Sequence, residues 1–191
     1  MSPAPRDPVA GAVTLRPLVR ADLPRLRRWL DAPHVHRWWF HDTTDEALER
    51  DFGAGLRGQE PGEDLVVELA GTPVGLVQRA RWRDYPEEAA LIAPIHPVGP
   101  GALTVDYLIG PLELTGRGLG PRVITAAVDG GWARHPDATC VVVPVSAGNR
   151  ASWRALEKAG FRRVASGDLP PDNPADPPLC HVYRLDRPPV P

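Results

Sequence analysis

The residues whose types and spacing could do chemistry lie between Ala102 and Arg122, in ALTVDYLIGPLELTGRGLGPR. A lone acid, Asp106, interrupts an alternating apolar run. Downstream, Thr115-Gly116-Arg117-Gly118-Leu119-Gly120 leads into Pro121 and an apolar-periodic run through Val123, Ile124, Ala127 and Val128. The pattern is strand, glycine loop, helix. The first N–H groups of a helix lack partners inside it and carry partial positive charge. Glycines let phosphate oxygens approach them. The stretch therefore reads as a pyrophosphate site with an acid one strand upstream, or as a tight strand-to-helix turn that binds nothing. Two nucleotide motifs are excluded by spacing. No Lys follows Gly120, so GxxxxGK[ST] is absent, and GxGxxG loses register after Gly116-Arg117-Gly118.

The rest of the chain must position that stretch. Val13 to Leu18 alternates as a first strand. Asp22 is a candidate N-cap for a helix with Leu23, Leu26 and Leu30 inward, which Pro33 stops. His34 to His41 (HVHRWWFH) reads as a loop with solvated histidines. Trp38, Trp39 and Phe40 within it read either as a core plug or as an aromatic wall of a pocket. A second helix starts at Thr43-Thr44-Asp45-Glu46 and runs to about Leu56. Asp64 to Leu69 and Val74 to Trp82 flank Ala70-Gly71-Thr72-Pro73, a hairpin by turn chemistry. Arg83 to Gly101 is a long proline-rich connection with adjacent acids Glu87 and Glu88. After the glycine loop and its helix come a buried strand, Thr139 to Val145, and Asn149, which can cap a helix from Arg150 to Ala159. Gly160 suits a left-handed C-cap, with Phe161 as its apolar contact. Arg162 to Ser166 and Leu179 to Leu185 are strands joined by an acidic, proline-stiffened loop, Asp168 to Pro178. The order gives a mixed α/β sheet with helices on both faces.

Composition bounds the function. The 191 residues suit one domain, here placed at residues 13–187, after a disordered tail at residues 1–12. A net charge of −2 gives no electrostatic case for nucleic acid or a membrane surface. No apolar run approaches the roughly 20 residues a spanning helix needs, and the first residues lack the apolar centre of a signal peptide. A cytoplasmic protein is expected, as a monomer or a homodimer. The two cysteines, Cys140 and Cys180, have neither CxxC spacing nor a histidine pair, so both read as structural and no metal is implied.

With the glycine loop after the fourth strand and NRASWRALEKAGFRRV after the fifth, the chain resembles the GNAT N-acetyltransferase superfamily from about Val13 to Leu185. Within it the VTLRPL, HVHRWW, VDYLIG and ALEKAGF segments look most like the aminoglycoside 6′-N-acetyltransferases. The resemblance implies an α+β fold, with a central, mostly antiparallel sheet splayed at a parallel pair of fourth and fifth strands. It implies acetyl-CoA as donor. The pyrophosphate would lie on the N–H groups of Arg117, Gly118, Leu119 and Gly120, with Thr115, Gly116 and Arg122 alongside. The pantetheine arm would run between the fourth and fifth strands against Leu108 and Ile109, hydrogen-bonded by Asn149. Asp106 matches the acid proposed as base in that branch. Trp38, Trp39, Trp82, Glu87, Glu88 and Asp168 are the expected contacts of a small cationic amine, with Asp172 and Asp176 as further candidate acids.

Two positions depart from the branch pattern. Its tyrosine in the last long helix is Leu156 here, which donates no proton, and an acid at the end of the fifth strand is Pro144. Three functions follow from the resemblance and its departures: acetylation of an aminoglycoside-like amine, acylation of a siderophore precursor or other small amine, and non-catalytic binding of acetyl-CoA.

Overall fold

The computed structural model describes residues 8–189. Seven strands form one sheet in the order β1-β2-β3-β4-β5-β7-β6. They are β1 (Val13–Pro17), β2 (Glu63–Leu69), β3 (Thr72–Arg81), β4 (Ala102–Ile109), β5 (Cys140–Ser146), β6 (Arg162–Asp168) and β7 (Leu179–Asp186). All neighbours are antiparallel except β4 and β5. That parallel pairing is limited to Ala102 with Cys140 and Leu103 with Val141. Beyond Leu103 the two strands part, and a wedge opens in the middle of the sheet.

Helices α1 (Leu23–Leu30), α2 (Pro33–Trp39) and α3 (Asp45–Leu56) cover one face. Their inward Leu26, Leu30, Val35, Leu48 and Phe52 pack on Val66, Leu76 and Leu108. The opposite face takes α5 (Leu119–Arg134) and α6 (Arg150–Lys158), whose Val123, Ile124, Ala127 and Leu156 meet Val67, Val77, Val105 and Val141. Strands covered on both faces need apolar residues at successive positions, which explains runs such as LVV in β2 and VVV in β5. A third cluster, with Trp82, Ile92, Cys140, Val142 and Cys180, lies under α4 (Pro86–Ile92). Both cysteines are free and buried in it.

Local chemistry sets the ends. Ala70 and Gly71 both take positive φ, 50° and 79°, which matches the twist of a two-residue hairpin. Thr44 caps α3 through its hydroxyl, which accepts from Ala47 N at 3.2 Å. Gly160 is left-handed (φ 93°), and Phe161 N–H returns to Leu156 O at 3.0 Å.

Four expectations are corrected. Asp22 does not cap α1 with its side chain; it receives the Arg16 guanidinium at 2.7 and 2.8 Å and Val19 N–H at 3.1 Å, tying β1 to the first helix. The His34–His41 stretch is mostly helix, because Pro33 pre-sets φ at the first turn of α2 rather than only ending α1. Two of its three histidines are engaged rather than solvated: His34 Nε2 contacts Ile109 O at 3.0 Å, and His41 Nδ1 contacts Asp51 Oδ2 at 3.0 Å. The Arg83–Gly101 connection contains α4, again begun by a proline, Pro86. Of the tail expected at 1–12, residues 1–7 lie outside the described residues; among residues 8–12 only Val9 is buried, 6% exposed in the main core, and its neighbours are exposed. No helix among the described residues is long and apolar enough to cross a membrane.

Candidate active site

The wedge between β4 and β5 is flanked by two cavities that meet. The first, about 440 Å³, lies over the glycine loop. Leu108 and Ile109 of β4, Thr115, Gly116, Gly118 and Gly120 of the loop, and Ala151, Arg154 and Lys158 of α6 line it. Gly118 is the residue before α5 and has φ 83°; Gly116 has φ 69°. A Cβ at either would meet nothing within 4 Å, so backbone conformation, not lack of space, demands glycine there. The turn brings the start of α5, at Gly118, Gly120 and Pro121, onto the cavity lining, the kind of place where helix N–H groups bind anions. Thr115 donates its hydroxyl to Leu112 O at 2.7 Å and Arg117 Nε donates to Glu113 O at 2.7 Å, which hold the loop closed on itself.

The sequence-expected residues on this side do not all turn the same way. The Leu119 side chain is fully buried in the core, so only its backbone is available to a ligand. The Arg122 guanidinium donates to the carbonyls of Val9 and Gly11. It clamps the segment before β1 to α5 and is not a lining side chain of the cavity. Asn149 caps α6, accepting from Ser152 N at 3.2 Å through Oδ1, as expected, and it also lines both cavities.

The second cavity, about 480 Å³, lies on the other side of the wedge. Asp106 is on its floor, across from Gln78 of β3. Trp82, Glu88, Leu91 and Ile92 form one wall, and residues 169–173 and 176–180 form another. Trp38, Trp39 and His41 close the side toward the first cavity. Trp82 combines the two roles open to the tryptophans: it is 6% exposed, donates Nε1–H to Val142 O at 3.0 Å, and turns one edge to the cavity. Glu87 is exposed and off the lining, as is Asp168, which ends β6. The acid that faces Asp106 is instead Asp172, four residues further along the loop. Asp176 also lines the cavity, but it is paired with the Arg37 guanidinium.

Water can touch the Asp106 carboxylate inside the cavity, yet protein surrounds it at longer range. That surrounding protein replaces bulk water and disfavours the charged form. Desolvation, with a smaller contribution from the Asp172 charge, pushes Asp106 up to about 6. Burial also raises Asp172, opposed by His41. Asp106 has no cationic side chain against it among the described residues, and Asp172 has only His41. Two mutually repelling carboxylates in a walled cavity are a seat for a cation. No group of three or more His, Cys, Asp or Glu among the described residues could hold a metal ion.

Sequence reasoning missed Tyr107 and Ser152. Tyr107 alternates away from Asp106, and its hydroxyl reaches α6, 2.8 Å from Ser152 Oγ and 3.1 Å from Ser152 O. The available signal was the spacing of Ser152 from the cap Asn149, which puts it on the first turn of α6 facing the wedge.

Fold and site together have the layout of a two-substrate transferase: one cavity over a glycine turn at a helix start, and a second, meeting it at the splayed strands, that holds the carboxylates of Asp106 and Asp172. The chain belongs to the GNAT acetyltransferase family, whose domain it matches over residues 19–169. It is an N-acetyltransferase, and its donor is acetyl-CoA. An aminoglycoside N(6′)-acetyltransferase type 1 of Klebsiella pneumoniae is 26% identical over 175 residues, 86% of this chain and 80% of that protein. The lysine N-acyltransferase MbtK of Mycolicibacterium paratuberculosis is 27% identical over 187 residues, 96% and 79% of the two chains. The crystal structure of aminoglycoside acetyltransferase AAC(6′)-Ib with coenzyme A superposes with a TM-score of 0.76 at 25% identity, covering 92% of this chain and 95% of that one. The same enzyme with parmomycin and acetyl-CoA also gives 0.76 at 25% identity, covering 92% and 94%.

Proposed function

We propose that the enzyme transfers acetyl from acetyl-CoA to a primary amine of a small cationic molecule, with an aminoglycoside 6′-amine as the first reading. The observation that carries it is Asp106, a carboxylate with no cationic partner among the described residues, on the floor of a cavity that joins the first cavity at the wedge. The donor pyrophosphate rests on the backbone N–H groups of Arg117, Gly118, Leu119 and Gly120, beside Gly116. The pantetheine arm lies against Leu108 and Ile109, with the Asn149 amide as its polar contact. Arg122 has no part in this, since its guanidinium is held by Val9 and Gly11.

Acetyl transfer needs a neutral amine close to the thioester carbon. Amines of ordinary basicity (about 10.4 for a lysine-type amine) arrive protonated at pH 7. Asp106, raised to about 6, is a better base than an unperturbed Asp, yet proton transfer to it from such an amine is uphill by about 4 units, or roughly 6 kcal/mol. Asp106 therefore first fixes the ammonium beside the thioester and passes one of its protons to water, and the small neutral fraction so formed attacks the thioester carbon. The dry walls of Trp39, Trp82 and Ile92 narrow the gap by disfavouring the ammonium.

A second reading is acylation of a lysine-like or siderophore-precursor amine. It is favoured by the outer wall of the acceptor cavity, where Leu91 and Leu179 are exposed apolar residues and Asp176 is already neutralised by Arg37. A polycationic sugar needs several free acids, whereas one amine on an apolar stem needs one pair. Free-thiol release from acetyl-CoA, scored across aminoglycosides, polyamines and lysine derivatives, separates the two. Turnover of a 6′-aminoglycoside supports the first; turnover confined to lysine-like amines replaces it with the second.

A further inference from the structure

The donor and acceptor cavities share Trp38, Trp39, Tyr107, Asn149 and Ser152. The thioester carbon must meet the amine where the cavities meet, so the sulfur departs among these residues. When the C–S bond breaks, its electron pair goes to sulfur, and a thiolate forms that a hydrogen-bond donor stabilises. Asn149 gives its side-chain oxygen to the α6 cap, and its amide NH2 is the polar contact proposed above for the pantetheine. The hydroxyls at the junction are those of Tyr107 and Ser152, 2.8 Å apart.

Tyr107 donates to Ser152 O at 3.1 Å, and its 2.8 Å contact with Ser152 Oγ admits either hydroxyl as donor. With the Tyr107 hydrogen shared between the two Ser152 oxygens, the Ser152 hydrogen is free to point into the wedge. Burial holds the Tyr107 hydroxyl up at about 12, so it stays protonated, and remains a donor, throughout the working range. Leu156, one turn further along α6, is fully buried and carries no hydrogen to offer.

We propose that Ser152 donates the hydrogen bond that stabilises the departing sulfur, and that Tyr107 is the residue that positions it. Full proton donation is not what the pair supplies: moving a proton from a tyrosine at about 12 to a thiolate near 8.5 is uphill by about 3.5 units. The balance is as follows. The acceptor ammonium loses one proton to solvent by way of Asp106. The nitrogen forms its bond to the acyl carbon and the C–S bond breaks. The second nitrogen proton ends on sulfur, while Ser152 keeps its own hydrogen.

The inference rests on acetyl transfer across this wedge and not on which amine is used. The test measures kcat and KM for acetyl-CoA in Ser152→Ala, Ser152→Thr and Tyr107→Phe, with coenzyme A affinity and Tm as structural controls. Loss of one transition-state hydrogen bond lowers kcat about tenfold in Ser152→Ala, with KM for acetyl-CoA within about threefold of wild type. Ser152→Thr, which keeps the hydroxyl, returns to within about threefold, and Tyr107→Phe falls between. The same variants are compared in acetyl-CoA hydrolysis, which breaks the same C–S bond with water as acceptor. Thus a wrong choice of amine leaves the hydrolysis comparison intact. The proposal is overturned if Ser152→Ala keeps kcat within about twofold in both assays. It is equally overturned if coenzyme A affinity falls while kcat holds, which is what a brace between β4 and α6 alone would give.

Discussion

The two sides of the wedge are built from different materials. On the donor side the proposed phosphate contacts are backbone: N–H groups after Gly116 and Gly118, fixed by left-handed φ values and by the start of α5. The acceptor side is almost all side chain, gathered from α2, α4, β3, β4, β5 and the loop before β7. Backbone recognition is tied to local sequence and tolerates change in the side chains around it. Side-chain recognition depends on distant segments meeting, and one substitution alters it. The same scaffold can therefore hold one donor while its acceptor is exchanged.

Substitutions should separate the two sides. The largest effect is expected for Asp106→Asn, which keeps the shape but cannot bind a proton; kcat/KM for the amine should fall about 10²- to 10³-fold, with little change in coenzyme A affinity by calorimetry. Next is Gly118→Val. A β-branched residue at φ 83° is strained by roughly 1–3 kcal/mol, and kcat/KM for acetyl-CoA should drop about 10- to 100-fold while the intrinsic affinity for the amine changes little. Arg37→Gln should release Asp176 and improve KM for a polycationic amine about two- to fivefold, with no gain for a monocation. The smallest functional effect is expected for Arg122→Ala: a Tm lower by a few degrees, since charged hydrogen bonds to the Val9 and Gly11 carbonyls are lost, and KM for acetyl-CoA unchanged. A large rise in that KM would return Arg122 to the donor site and blur the division between the sides.

The Asp106 site also has a signature in stability. Its folded pKa is raised to about 6, above the unfolded value, so ionising it opposes folding at neutral and higher pH. That cost shrinks as pH falls from 6 and is gone below about 4, where both states are protonated. Asp106→Asn should therefore match or exceed wild-type Tm at pH 7.5, and the advantage should vanish near pH 4 in a thermal melt.

The same contrast explains what the sequence disclosed. The glycine loop, the Asn149 cap, the Gly160 turn and the strand alternation are local patterns, and glycine, proline and capping residues write them directly into the chain. The splay was reached only through resemblance, because a pairing that stops after Leu103 leaves no mark in strand composition. Helices α2 and α4 were read as loops because each is short and begins at a proline, which signals a stop as readily as a start. Of the candidate loop acids Asp168, Asp172 and Asp176, it is Asp172 that lies beside Asp106, since the path of a proline-rich loop decides which acid turns inward. Arg122 looked like a phosphate ligand by position, yet its partners lie far back in the chain, at Val9 and Gly11, where no spacing rule points.

The central claim is that an amine is handled by Asp106 in the cavity opposite the donor. Its most direct test is the pH dependence of kcat/KM for the best amine found, measured in wild type and in Asp106→Asn. Wild type should lose activity as pH falls through about 6, tenfold per unit below it, while the residual activity of Asp106→Asn should lack that limb. An unchanged limb in the variant, or variant activity equal to wild type at pH 7, would contradict the account.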